Sequence, residues 1–232
     1  MFRAALFSII LPVMALSATS WNTTEPFDQW TLEKAVEVLN ESPWARQETF
    51  TRVIRGVGSG ISGEKEIYNT FYVRFLSARP IREAYARVQQ IQYGYDEMLP
   101  EERKVFETIQ QKNLNIDISK YIVVSISFRS NDPNEESDVR RFFQSETVET
   151  LKTKIFLSTS THPQVELSAY FPQQEESIGA KFVFPREVNG TPVVTSDCSR
   201  ITLEFLDVPG ADSRLNISFN IDPMTIGDRI IL

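Results

Sequence analysis

Leu32, Ala35, Val36 and Leu39 recur at the three-and-four spacing of a single helix face, which predicts a helix capped by Thr31 and stopped near Ser42 by Pro43. From Glu48 to Val57 the pattern turns β-like, with Phe50, Val53, Ile54 and Val57 set among threonine and arginine. The run Gly56-Val57-Gly58-Ser59-Gly60-Ile61-Ser62-Gly63 reads as a hairpin loop leading into a second strand from Ile67 to Leu76. Phe71, Val73 and Phe75 share one face of that strand, and Tyr72, Arg74 and Leu76 the other. Pro80 then opens a long helix with the stripe Ile81, Ala84, Tyr85, Val88, Ile91 and Tyr95. Pro100 opens another, with Val105, Phe106 and Ile109 as its apolar side.

From Ile118 onward the period falls to two. Ile122, Val124, Ile126 and Phe128 alternate with smaller or polar neighbours, as do Val165, Leu167, Ala169 and Phe171, then Ile201, Leu203 and Phe205, then Leu215, Ile217 and Phe219. Lys154–Leu157, Lys181–Phe184 and Arg229–Leu232 are shorter apolar runs, and turns bearing Pro, Gly or Asn separate them all. The expected fold is therefore α+β. A helix–strand–helix N-terminal portion, 21–113, packs with an antiparallel β-sandwich or barrel-like C-terminal portion, 114–232.

Residues 1–20 read differently. A short positive start with Arg3 precedes an apolar run from Ala4 to Leu16, too short for the roughly 20 residues of a membrane-spanning helix. Small side chains stand at the positions that precede cleavage after Ser17 or Ser20, which completes the pattern of a secretory signal peptide. An uncleaved anchor or a buried N-terminal helix is the alternative. No later stretch approaches a spanning length. The expectation is a soluble mature chain, secreted or periplasmic, with no stable membrane insertion.

Composition sharpens this by exclusion. With 41% hydrophobic and 24% charged residues the chain is globular, and 24 basic against 31 acidic residues, a net charge of −7, argue against a nucleic-acid partner. One cysteine and one histidine exclude an intrachain disulfide and the usual multi-histidine metal sites, and no cofactor is expected. Cys198 is read as a buried thiol or an intermolecular bridge, and His162 as a turn residue beside Pro163. The sequons at Asn22, Asn189 and Asn216 matter only in a host that glycosylates, where Asn189, in a turn, is the most accessible.

Three places carry candidate chemistry. Trp44 follows directly on the helix-ending proline and is either a plug at the helix–sheet junction or a platform for a ligand or partner. Arg74 and Arg82 belong to a basic strand-to-helix junction. They could hold a carboxylate or phosphate, or pair structurally: Arg82 and Arg87 with Glu83 and other acids, Arg79 left solvated, Arg74 a partly buried, paired charge. Asp132, Asn134, Glu136 and Asp138 alternate like the first half of a calcium loop, yet lack its central glycine and distal glutamate, and an acidic, solvated connection is the preferred reading.

The stretch Leu39-Asn40-Glu41-Ser42-Pro43-Trp44-Ala45, the segment from Tyr72 to Ala84 (YVRFLSARPIREA), and Phe182-Val183-Phe184-Pro185-Arg186 with Asn189-Gly190 together resemble a family of uncharacterised secreted acidobacterial proteins. The resemblance touches most of the mature chain. It implies an exported bacterial protein and brings no catalytic residue with it. The reading is a non-enzymatic binding or envelope-associated module with a protein or small-molecule partner. The alternatives are a carboxylate-based secreted hydrolase, with or without calcium, and a structural or assembly subunit.

Overall fold

Thr31 accepts a hydrogen bond from the Lys34 backbone N–H at 3.2 Å and so starts helix α1 (Leu32–Glu41), which ends at Ser42 before Pro43. The computed structural model describes residues 21, 25–55, 64–174, 177–226 and 229–232. The leader with Ser17 and Ser20, and the glycine-rich run 56–63, lie outside them. After α1 come β1 (Ala45–Arg55), β2 (Glu64–Phe75), α2 (Arg79–Gln92), α3 (Pro100–Leu114), β3 (Tyr121–Ser130), α4 (Pro133–Ser145) and α5 (Val148–Leu151). The remainder is built of strands: β4 (Ile155–Ser158), β5 (Val165–Glu166), β6 (Ala169–Phe171), β7 (Ala180–Pro185), β8 (Glu187–Val188) and β9 (Thr191–Pro192). They continue with β10 (Arg200–Leu206), β11 (Arg214–Asn220), β12 (Thr225–Ile226) and β13 (Arg229–Ile230).

The fold is α+β. A five-stranded antiparallel sheet in the order β1-β2-β3-β7-β6 faces a four-stranded one in the order β11-β10-β4-β5. Among the described residues neither sheet closes into a barrel. Alternation decides what lies between them. Phe71, Val73 and Phe75 of β2, Ile122, Val124 and Ile126 of β3, and Phe182 and Phe184 of β7 all point to the inner face and are buried. They meet Leu203, Phe205, Leu215 and Phe219 of the second sheet, with Phe75 and Phe219 in an edge-to-face contact at 4.7 Å. Phe143 of α4 joins the same cluster between Phe182 and Phe205.

Four expectations give way here. Val105 and Ile109 are more than half exposed, while α3 turns Gln110 inward to accept a hydrogen bond from the buried Gln90 amide at 3.0 Å and to donate to the Ala86 carbonyl at 2.8 Å. A polar seam thus joins α2 to α3, and a hydrophobic count cannot see it. In α1 the buried positions are Ala35, Val38 and Leu39, with Leu32 and Val36 largely exposed, so the face is turned relative to the predicted stripe. The run Val165 to Phe171 is not one strand: β5 pairs with β4 and β6 with β7, so the chain changes sheets between them and Phe171 emerges 56% exposed. The stretch 130–138, read as an acidic connection or a calcium loop, runs into α4, whose Val139 and Phe143 are buried.

Candidate functional site

The outer face of the five-stranded sheet carries the second set of alternating residues: Tyr72 and Arg74 from β2, Val123, Ser125 and Ser127 from β3, Lys181 and Val183 from β7. Register places Arg74, Ser125 and Lys181 side by side in one row across three strands, with Tyr72 beside Ser127 in the next. Helix α2 lies over this face. Two adjoining clefts open between it and the sheet, of about 510 and 520 Å³, sharing Tyr85, Gln89, Ser177 and Ile178 as walls. Each falls within the usual size of small-molecule sites, roughly 300–1,000 Å³.

The first cleft is bounded by Arg82, Ala86 and Gln89 of α2, by Gln110 and Asn113 of α3 with Ile116 and Ile118 beyond it, and by Val123, Lys181, Val183 and Phe171 of the sheet. The second holds Asn40, Tyr72, Arg74, Ser127 and Arg129. Four basic side chains therefore line the pair, and among the described residues no aspartate or glutamate does. In a chain with a net charge of −7 this is a local inversion of sign.

Two of these cations, Arg74 and Arg82, are held by neutral groups, while Arg129 pairs with Glu136. Arg74, 8% exposed, donates from Nε to the Leu39 carbonyl at 2.7 Å, from Nη1 to Ser127 Oγ at 2.9 Å and from Nη2 to Asn40 Oδ1 at 2.8 Å, and lies over the Tyr72 ring. Burial without a carboxylate pulls its pKa down to about 10. Arg74 is thus buried as expected but not ion-paired. Arg82 donates to the carbonyls of Leu76, Ser77 and Leu114; burial lowers its pKa, nearby Arg79 and Arg186 push the same way, and Glu83 opposes them. Arg79 is the residue that pairs with Glu83, at 2.7 Å, because positions four apart on a helix face each other and adjacent ones do not. Arg87 bonds the Trp30 carbonyl and Gln90 instead of an acid. Between Arg74 and Lys181, Ser125 Oγ is buried with no hydrogen-bond partner among the described residues.

Of the sequence candidates, Arg74 and Arg82 line the clefts. Trp44 does not: it is 1% exposed, packs in the core, and donates its indole N–H to the Ile231 carbonyl. Asp132 caps α4, accepting from the Asn134 N–H at 2.9 Å and from Lys65 at 2.7 Å, and the lysine above all holds its carboxyl below the usual range. Asn134, Glu136 and Asp138 stand two residues apart on helix α4, so that Glu136 points to the other side from its two neighbours, with Glu136 2.7 Å from Arg129 and Asp138 3.3 Å from Arg141. Alternating ligands converge only on a loop, so the calcium reading is corrected. Among the described residues no three His, Cys, Asp or Glu side chains are grouped to hold a metal.

Cys198 is buried and free. Burial raises its pKa, but hydroxyls of Ser160 at 3.3 Å, Thr195 at 3.5 Å and Thr161 at 3.9 Å, with the Thr195 backbone, more than offset that and bring it down to about 7. Thr161 Oγ1 also lies 3.1 Å from His162 Nδ1, so thiol and imidazole share a hydroxyl neighbour. A thiol whose folded pKa is depressed stabilises the fold above its unfolded value, and that contribution fades as pH falls through about 7. Wild type should therefore gain stability between about pH 7 and pH 9 in denaturant titrations, and Cys198→Ala should not.

Sequence reading missed Lys181 and Gln89 as cleft residues. Lys181 was legible only as the cross-strand neighbour of Ser125 and Arg74, which requires the register. Within the run read as a hairpin loop, Gly58-Ser59-Gly60-Ile61-Ser62-Gly63 spells a G-x-G-x-x-G pattern. That pattern binds dinucleotides where a strand leads into a helix, and here the flanking β1 and β2 pair as antiparallel neighbours. Comparison with protein-family models, with curated proteins and with solved structures found no match.

Proposed function

We propose that this chain is an exported binding module that holds a small molecule between α2 and the outer face of its five-stranded sheet. The observation that carries this reading is the pair of adjoining clefts, roofed by a helix, in which buried and half-buried cations meet an apolar wall and no described acid. The leader-like pattern of residues 1–20 and the likeness of the Trp44 and Arg74 segments to secreted bacterial proteins support the exported part. No helix among the described residues is long and apolar enough to cross a membrane. Neither cleft brings two carboxylates together among its described residues, so the hydrolase reading is not taken further.

The test is a thermal-shift screen of small molecules on the mature chain, whose N-terminus at Ala18 or Trp21 also checks the leader. A ligand at a hundred times its Kd adds about 2.7 kcal/mol, or roughly 5–10 °C in a domain of this size. Val183→Trp, which fills the first cleft from the sheet side, should abolish the shift. Shifts that persist in this variant would place binding outside the first cleft, and shifts that also persist in Gln89→Trp, at the wall both clefts share, would defeat the reading.

A further inference from the structure

The geometry points to one class of ligand for the first cleft: a monoanion with an apolar body, its acid group between Lys181 and Arg82 and its body against Val123, Val183, Ile116 and Phe171. This rests on the reading of the cleft as a ligand site, and deepens it. Three observations carry it. First, the charge there has one sign among the described residues lining the cleft. Arg82 is satisfied by three carbonyls, and Lys181 has no ion pair among the described residues. A cation without a carboxylate partner in a half-buried place keeps more of its attraction for an anion than one in open water.

Second, one of the two charges is positioned before any ligand arrives. The Arg82 guanidinium is fixed by carbonyls of the β2–α2 turn and the end of α3, while Lys181 has its backbone fixed on β7, paired on both sides within the sheet. A group held as Arg82 is loses little freedom on binding. Third, the sheet face beside Lys181 turns apolar one row on and carries no second charge. Val123 and Val183 lie opposite each other in register, and Phe171 continues the apolar surface out to solvent at 56% exposure. A dianion or a polar solute would leave that wall unused, and a neutral hydrocarbon would leave the cations unused.

Decanoate, decanol and decylammonium share one chain length and differ in head charge, and their titration into the wild-type chain tests the inference. Decanoate should bind at least tenfold more tightly than decanol, decylammonium should bind more weakly than either, and added salt should narrow the gap. Lys181→Gln should weaken decanoate by about tenfold to a hundredfold, the usual worth of a hydrogen bond to a charged group, and leave decanol unchanged. Arg82→Gln should act the same way, and because Arg82 also ties down carbonyls, the half-buried Lys181 is the cleaner variant. Equal binding of decanoate and decanol, or a Lys181→Gln chain that binds decanoate as wild type does, would overturn the anion assignment while leaving a ligand cleft in place. No binding of any of the three, with no hit in the wider screen, would overturn both. Glu175→Gln/Glu176→Gln should change little. Decanoate binding seen only in that variant would show that the chain's own acids neutralise these cations, and would also overturn the proposal.

Discussion

Trp44→Ala is expected to lower the unfolding free energy by about 3–5 kcal/mol, the usual cost of emptying a large aromatic site in a core. The side chain is 1% exposed, and its indole N–H is spent on the carbonyl of Ile231. Truncation thus leaves both a cavity and an acceptor without its donor, which adds to the penalty. In thermal melts the midpoint should fall by roughly 6–20 °C for a domain of this size. Trp44→Phe restores most of the volume but not the N–H and should recover more than half of the loss. A near-neutral Trp44→Ala that instead weakened ligand binding would return the residue to the role of a platform.

Gly179→Ala should be comparably damaging for a different reason. Gly179 has φ +141°, a region that side chains rarely enter, and an added Cβ would stand 2.4 Å from the Ile126 carbonyl oxygen and 2.7 Å from its carbon. The obstacle is backbone of β3, paired at that point with Ala180 of β7, so relief requires parting the two strands. The expected loss is about 3 kcal/mol or more by chemical denaturation. Gly94→Ala is the control. Its φ of +63° carries a conformational cost of about 1–2 kcal/mol, and nothing lies within 4 Å to clash. Equal losses in the two variants would mean that the contact with Ile126 is not what matters.

Much of the fold could be read from spacing because most elements bury one face only. Phe71, Val73 and Phe75, and Ile122, Val124 and Ile126, alternate as half-buried strands must, and each set is fully buried. Thr31 and Pro43 mark the ends of α1 as their chemistry requires. The failures have equally local causes. Helix α4 begins in a run of acids that looks solvated, and its apolar signal, Val139, Phe142 and Phe143, arrives a full turn later. Helix α3 is held to α2 by glutamines, so its exposed Val105 and Ile109 mislead.

The site was half legible. Arg74 and Arg82 stand out as arginines at a strand-to-helix junction, and both reach the clefts. That the acids would stay away, and that Lys181, about a hundred residues further on, would sit in the same row as Arg74, depends on β7 lying beside β3. No local pattern encodes such a pairing.

That pairing has a wider consequence. β2 is hydrogen-bonded to β3, and β5 and β6 belong to different sheets although only residues 167 and 168 separate them. The boundary near residue 113 that the change of hydrophobic period suggests therefore separates strands of one shared hydrogen-bonded ladder. The strands on either side of that boundary share hydrogen bonds, so a change at the clefts beneath α2 is felt by both portions of the chain.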